Sequence, residues 1–552
     1  MKNKVMSIAA QIKDVSAAAT NTQRYDAVVV GAGFAGLYML KRLRALGLSV
    51  RVFEAGSNVG GTWFWNKYPG ARCDVESLEY SYSFDKDLQQ DWIWPERYAE
   101  QPVILEYLNH VADRFDLRKD IELNQRISSA YYDSERCLWA LATQRGDFVE
   151  APFCVMATGC LSTAKLPEIS GIDRFKGKWY HSGLWPAQGV DFTGQRVGVV
   201  GTGSSAVQMI PLIAKEAKQL YVFQRHANFV VPAHNRPLDA AVHQAHQANY
   251  VEHRAEAQLT PFCIGGHPKP TKKAFEVSAE ERLATYETKW AKGGAISFLY
   301  TYTDLLVSKE ANETAGEFVR QKIRQIVKNP QTAEDLCPND HYIGTKRLCV
   351  DTGYFETYNR NNVRLVNVQK VPIQQIEPEG LKTENESFAL DAIVFATGFD
   401  AMTGALFEID IRGKQGVELK AKWADGPVTY LGLMTAGFPN MFIVTGPGSP
   451  SVKTNMVCAI EQHVDWIADC IEQLRLQRLQ EIDADPNAQA QWTQHVNDVG
   501  DATLYPLANS WYVGANVPGK PRVFTPYVAG LDVYRKKCDE VTTQNYAGFL
   551  KR

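Results

Sequence analysis

Two glycine turns, GAGFAG at residues 31–36 and GTGSSA at 201–206, each follow a buried-strand run and open an amphipathic helix. They predict an α/β protein with two Rossmann-like dinucleotide-binding domains, because such turns hold a pyrophosphate on backbone N–H groups at a helix N-terminus. A third stretch, from about 236 to 345, is rich in Ala, Glu, Lys and His with helical periodicity and no nucleotide signature. It predicts a helical subdomain attached to the second nucleotide unit. At 552 residues the chain exceeds what one core supports, so two or three domains are expected.

Residues 1–23 are polar and Ala-rich without an apolar h-region, and read as a flexible N-terminal tail. The run at 25–30 is largely apolar, as a strand buried on both faces requires. It turns at Gly31 and Gly33 into a helix holding Ala35 and Gly36, with Met39, Leu40, Leu43 and Leu46 on one apolar face. The next strand, 49–53, ends at Glu54, the acid that accepts hydrogen bonds from a ribose hydroxyl about 20 residues past such glycines. A second unit starts at 196–200 and turns at Gly201, Thr202 and Gly203. Ser204, Ser205 and Ala206 open its helix, which carries Val207, Ile210 and Ile213. Its next strand, 220–223, ends in Gln224 and Arg225, and an arginine there suits a 2′-phosphate that an acid would repel. The first nucleotide is therefore expected to be an ADP moiety with a free ribose, such as FAD, and the second NADP(H).

Two further strands end in Ala-Thr-Gly, at 157–159 and 396–398, where small residues let the chain pass close to a cofactor or another strand. They mark crossings between the units. The expected division is 24–159 as the first part of an FAD domain and 160–395 as an inserted NADP domain including the helical subdomain. Residues 396–552 then complete the FAD domain, with a strand at 441–444 and a helix at 452–474.

A net charge of −3 with 22% charged residues gives no basic excess for nucleic acid. No apolar run reaches the ~18–20 residues that span a bilayer. The ten cysteines form no short-spaced pair, which argues against a dithiol redox centre or a zinc knuckle; no metal site and a reducing, cytoplasmic setting are expected.

Both turns, both Ala-Thr-Gly segments and the intervening FKGKWYHSGLWP at 175–186 together resemble the Baeyer–Villiger monooxygenases, over roughly residues 24–550. GGTWFWNKYPGARCDVES at 60–77, GTKRL at 344–348 and SWYVGANVPGK at 510–520 resemble the phenylacetone and cyclohexanone branch. The resemblance implies that NADPH reduces the flavin, O₂ adds at its C4a carbon, and the resulting peroxyflavin converts a small-molecule ketone to an ester or lactone. It implies that Arg347 is the cation stabilising the peroxide and the tetrahedral oxyanion, held by Asp74. Arginine suits that task because it keeps its proton where a buried lysine can lose it. Lys346 would join Arg225 on the NADP phosphate, with Arg72, Cys73, Gln208, Gln224 and His226 beside the same nucleotide. Gly61, Thr62, Trp63, Phe64 and Trp65 would wrap the flavin and exclude water, with Tyr80, Ile127 and Met456 near it. Trp511 lies in a loop expected to close over NADP.

His181, between two tryptophans, reads as a structural hydrogen-bonding residue at a hinge between domains, not a general base. Close relatives usually carry threonine at the place of His226. Lys453 falls in a loop that is small and apolar in the phenylacetone type; it could face solvent, narrow the pocket or pair with an acidic substrate. The alternative reading is a flavin-dependent N- or S-oxygenase of the same class, and from another class a non-catalytic nucleotide sensor. A monomer or weak homodimer is expected.

Overall fold

The computed structural model describes residues 22–552; the expected tail lies, up to residue 21, outside the described residues. In chain order, the elements that position the site begin with β1 (Ala27–Val30), α1 (Phe34–Ala45), β2 (Val50–Phe53), β3 (Ile121–Glu122) and β4 (Phe153–Met156). Next come β5 (Lys178–His181), β6 (Arg196–Val200), α2 (Ser204–Glu216) and β7 (Gln219–Gln224). The last are β8 (Val363–Asn367), β9 (Ala392–Phe395), β10 (Met441–Ile443) and α3 (Met456–Leu476).

Two all-parallel sheets result. The first has the order β10-β4-β1-β2-β3 and the second β8-β7-β6-β9-β5. Parallel strands need crossovers, and helices laid on the faces bury them. All of β1, β4 and β9 is accordingly buried. Each sheet has its own core: Val29, Leu37, Leu40 and Val155 belong to one, Val199, Ile210, Val222 and Val394 to the other. A mixed five-stranded sheet, whose central strands Ile127–Asp133, Leu138–Thr143 and Phe148–Ala151 pair antiparallel, covers a third cluster against β1 and β4.

The chain passes between the two sheets twice, and the two passes are bonded to each other. Lys165 donates its N–H to the Gly398 carbonyl at 3.1 Å, Asp400 to Thr163 at 2.9 Å and Met402 to Cys160 at 2.8 Å. The FKGKWYHSGLWP segment supplies β5, the edge strand of the second sheet. His181 is 1% exposed; its Nδ1 accepts from the Gly183 N–H at 3.0 Å and its ring meets Phe399 edge-on. Burial lowers its pKa, so it stays a neutral structural group beside the double crossing.

Helices do fill the region from Ala240 to Leu336. They pack on the second sheet through Tyr286, Phe298, Phe318 and Ile323. They also reach the first unit: Tyr250 donates to the Ser83 carbonyl and Arg254 to those of Leu78 and Glu79. The subdomain thus bridges both sheets, a wider role than attachment to the second.

Two expectations need correction. The C-terminal helix begins at Met456, not at residue 452, because Ser451–Lys453 forms a separate short turn and Asn455 caps the helix through the Val457 N–H. Cys263 and Cys458 form a disulfide with Cα atoms 6.4 Å apart. At a sequence separation of 195 the pair is invisible to a search for short spacings, and it departs from the reducing setting expected of the cysteines. No helix among the described residues is long and apolar enough to cross a membrane, and no cluster of metal-ligating side chains occurs among them.

Candidate active site

The first glycine cradle, where FAD is expected, is built where β1 turns into α1. Gly31 has φ +104° and its N–H donates to the Phe53 carbonyl at the end of β2, at 2.8 Å. A Cβ on Gly31 would lie 2.6 Å from the Ala157 carbonyl oxygen, and one on Gly36 would lie 1.8 Å from that of Gly31. The N-terminus of α1, with Gly33 before it, has no side-chain cap, so its first-turn N–H groups are available to a phosphate. A second turn crosses this one: Gly61, at φ +52°, would bring a Cβ to 2.9 Å from the Gly33 Cα. The short helix Thr62–Trp65 starts there. The Trp63 indole donates to the Tyr80 hydroxyl at 3.2 Å, and its carbonyl accepts from the Gln101 side chain. Phe64 and Trp65 meet edge-on. Ile127 is buried at the start of the strand Ile127–Asp133, and Met456 stands at the first turn of α3.

Glu54 ends β2 as expected, with an added role. Its carboxylate accepts the N–H groups of Ala32 and Gly56, each at 2.7 Å. It therefore braces the glycine turn, and its remaining lone pairs can receive ribose hydroxyls. Burial raises its pKa, and the backbone donors offset part of that rise.

The second cradle repeats the first. Gly201 has φ +113°, donates to the Phe223 carbonyl at 3.0 Å and would set a Cβ 2.5 Å from the Ala396 oxygen. Gly203 precedes α2, again without a side-chain cap, and Ala206 is buried in its first turn. Thr202 donates its hydroxyl to the His226 carbonyl at 2.7 Å, Ser204 meets the Cys349 thiol at 3.3 Å, and Ser205 lies beside the Tyr68 hydroxyl. Gln224 is buried and its side-chain amide donates to the Asp335 carbonyl. Arg225 is exposed beyond the strand end, close enough to Lys346 to lower its pKa. Both cradles, with uncapped helix ends and spaces that only glycine leaves open, fit dinucleotides.

A feature without a local sequence signal sits beside Arg225. Asp340 pairs with His226 Nδ1 and His341 Nδ1, each at 2.6 Å, and with Lys346 at 3.6 Å. Burial alone would raise the Asp340 pKa, yet these partners hold it far below the usual carboxylate range. Lys346, expected on the NADP phosphate, and His226, expected beside the same nucleotide, thus share a carboxylate. Arg72 is also committed: its guanidinium bonds Glu100 at 2.6 Å and the Tyr98 carbonyl at 3.1 Å. What reaches the second unit is its backbone, whose carbonyl accepts from Gln208 of α2 at 3.0 Å. Cys73, next along, is buried, and burial raises its thiol pKa.

Arg347 and Asp74, 273 positions apart in sequence, are brought together. Arg347 Nε and one terminal nitrogen donate to the two Asp74 oxygens at 2.7 and 2.6 Å, a bidentate pair. The other terminal nitrogen donates to the Val452 carbonyl at 2.8 Å. Burial by itself would raise the Asp74 pKa and lower that of Arg347, but each charge overrides this for the other: Asp74 titrates low and Arg347 high. A guanidinium has five donors, and 33% of this side chain remains exposed, so two N–H groups are left for a ligand. Tyr512 and Tyr505 flank this wall. Trp511 packs on Tyr512 with ring centres 4.2 Å apart, and its loop is tied down where Asn516 donates to the Phe399 carbonyl and Lys520 to that of Ala401, each at 2.7 Å. Asp340, Tyr505 and the Val452 carbonyl had no motif to announce them; Tyr512 lay unremarked inside SWYVGANVPGK.

This fold and site define a flavin-binding monooxygenase, and the family described as flavin-binding monooxygenase-like matches residues 25–248. A Baeyer-Villiger monooxygenase of Pseudooceanicola batsensis is 42% identical over 532 residues, covering 96% of each chain. Phenazine N-monooxygenase PhzNO1 of Lysobacter antibioticus is 42% identical over 529 residues, covering 95% of this chain and 97% of that one. A solved structure of an oxidized steroid monooxygenase bound to NADP is 51% identical, with a TM-score of 0.92, and 96% of this chain covers 99% of it. The chain belongs to the Baeyer–Villiger monooxygenases, enzymes that use FAD and NADPH.

Proposed function

We propose that this enzyme inserts one atom of O₂ beside the carbonyl of a small-molecule ketone, giving an ester or lactone, with Arg347 as the cation that makes the step possible. Bound FAD, reduced by NADPH, supplies the activated oxygen. Addition of that oxygen to a carbonyl builds negative charge on oxygen before carbon migrates. The observation that carries the reading is the Arg347 guanidinium, fixed on three sides by Asp74 and Val452 with two donors unspent. A pre-oriented cation costs no reorganisation when charge develops. Trp63, Phe64, Trp65 and Tyr80 would line the flavin and keep water from reactive oxygen. Thr202, Ser204, Arg225 and Lys346 would hold NADP, and Trp511 would close over it.

Residues 24–159 with 396–552 would form the FAD domain, and 160–395 the NADP domain. A cytoplasmic setting accords with eight unpaired, buried cysteines, a monomer or weak homodimer is proposed with it, and thiol counting on protein denatured without reductant tests the one pairing that departs from a reducing setting. Oxygenation of a heteroatom is a second reading, favoured by the phenazine N-monooxygenase among the relatives. Nitrogen or sulfur attacks an electrophilic oxygen itself and needs no cation for an oxyanion. Product analysis of Arg347→Ala separates the two. Loss of ester with amine or sulfide oxidation retained supports the proposal; undiminished ester formation refutes it.

A further inference from the structure

Lys453 has no part in the reaction described above, yet it occupies the wall of the same site. It ends the short turn Ser451–Lys453, directly after Val452, whose carbonyl holds Arg347. Its ammonium lies 3.9 Å from the ring centre of Tyr505 and 4.3 Å from that of Tyr512. The side chain therefore neither faces solvent freely nor folds back on an acid. Among the described residues no carboxylate comes within 4.0 Å of it and no oxygen accepts a hydrogen bond from it.

Burial first, and then the nearby Arg347 charge, push its pKa well below the ordinary lysine value. Aromatic faces offset only part of the cost of burying an ammonium. Both oxygens of Asp74 are already spent on Arg347. The wall thus offers Lys453 no carboxylate partner, so its amine holds its proton poorly while the site is empty. An anionic ligand beside it would favour the protonated, paired form.

We infer that Lys453 is a specificity-determining residue that selects ketones bearing a carboxylate, which it would pair while Arg347 receives the carbonyl oxygen. A keto acid fits better than a cofactor phosphate as the anion. The cradles for phosphate lie at Gly201 and around Arg225, whereas Lys453 adjoins Arg347 and the two tyrosines. The inference rests on the ketone-oxygenation reading.

The test uses holoenzyme, with 4-oxocyclohexane-1-carboxylate and its neutral methyl ester as paired substrates. The parent enzyme is expected to favour the acid at least tenfold in kcat/KM. Lys453→Met should lower that ratio at least tenfold through the KM of the acid, and Lys453→Arg should restore most of it. An unchanged ratio in Lys453→Met, or a parent enzyme that favours the ester, overturns the inference. A raised KM for NADPH with the ratio intact would put a cofactor phosphate on Lys453 and overturn it equally. If neither compound is oxygenated, the ketone reading fails separately, and calorimetric binding of the acid to NADP⁺-loaded holoenzyme still decides. Binding should be at least tenfold weaker in Lys453→Met; equal binding refutes the role of Lys453.

Discussion

A guanidinium serves an oxygenating site only if it keeps its charge and its place. Arg347 has both from Asp74, which is why the two positions act as one unit. Replacing Arg347 by Ala removes the proposed donor to a developing oxyanion and should cost about 3 kcal/mol, a hundredfold or more in ester formation. The variant should remain yellow, because none of the FAD cradle contacts involves Arg347; steady-state kinetics with flavin quantitation checks both halves. Asp74→Asn keeps a hydrogen-bonding group but loses the charge, so kcat should fall while Arg347 stays in the site. At the second cradle, Arg225 is exposed and free to meet a 2′-phosphate. Arg225→Ala should shrink the NADPH-over-NADH preference by roughly tenfold or more, as loss of a charge-assisted contact does. Equal use of both cofactors by the parent enzyme would remove the argument for a phosphate site.

The glycine turns act as elements because a neighbouring strand end presses on each. Ala157 closes on Gly31 and Ala396 on Gly201, with the same 2.5–2.6 Å clash awaiting any added Cβ. The two Ala-Thr-Gly segments therefore do for each cradle what small residues allow, a close backbone approach. Positive φ adds strain at both positions. Gly31→Ala should yield protein depleted of FAD. Gly201→Ala should keep FAD but bind NADPH at least tenfold more weakly, as flavin absorbance and fluorescence titration with NADPH can show. If both variants lose only FAD, the division of labour between the cradles is wrong.

Across the whole molecule, the two sheets are joined by a paired crossing and bridged by the helical region, so stability is shared between units. One buried group gives this a pH signature. His463 on α3 is fully buried, its Nδ1 accepts the Thr445 N–H at 2.8 Å, and burial lowers its pKa to about 3. In the unfolded chain a histidine titrates near 6.5, so as pH falls below about 6.5 the unfolded state takes up a proton that the fold refuses. Stability from this group is present above pH 6.5 and falls by about 1.4 kcal/mol per unit down to pH ~3. His246 and His267, each lowered to about 4 chiefly by burial, add in the same direction, while His253, raised by its bond to Glu79, opposes them. Urea midpoints of the holoenzyme at pH 7, 5.5 and 4.5 should therefore decline. His463→Asn, less stable at pH 7, should close the gap to the parent as pH falls; parallel curves would show that His463 does not contribute.

Sequence by itself determined the two glycine turns, their strands and helices, and the acid and the arginine proposed to tell one nucleotide from the other. Those signals are local: strand burial, helix periodicity and left-handed glycines repeat within thirty residues or so. The pairing of Arg347 with Asp74 entered only through resemblance to a family, since no spacing links residues so distant. The tertiary structure alone decided what no neighbour in sequence could: Asp340 among the presumed phosphate ligands, Arg72 spent on Glu100, the Cys263–Cys458 bond, and Lys453 held between two tyrosines. Charges choose partners by distance in space, and only the folded chain sets those distances.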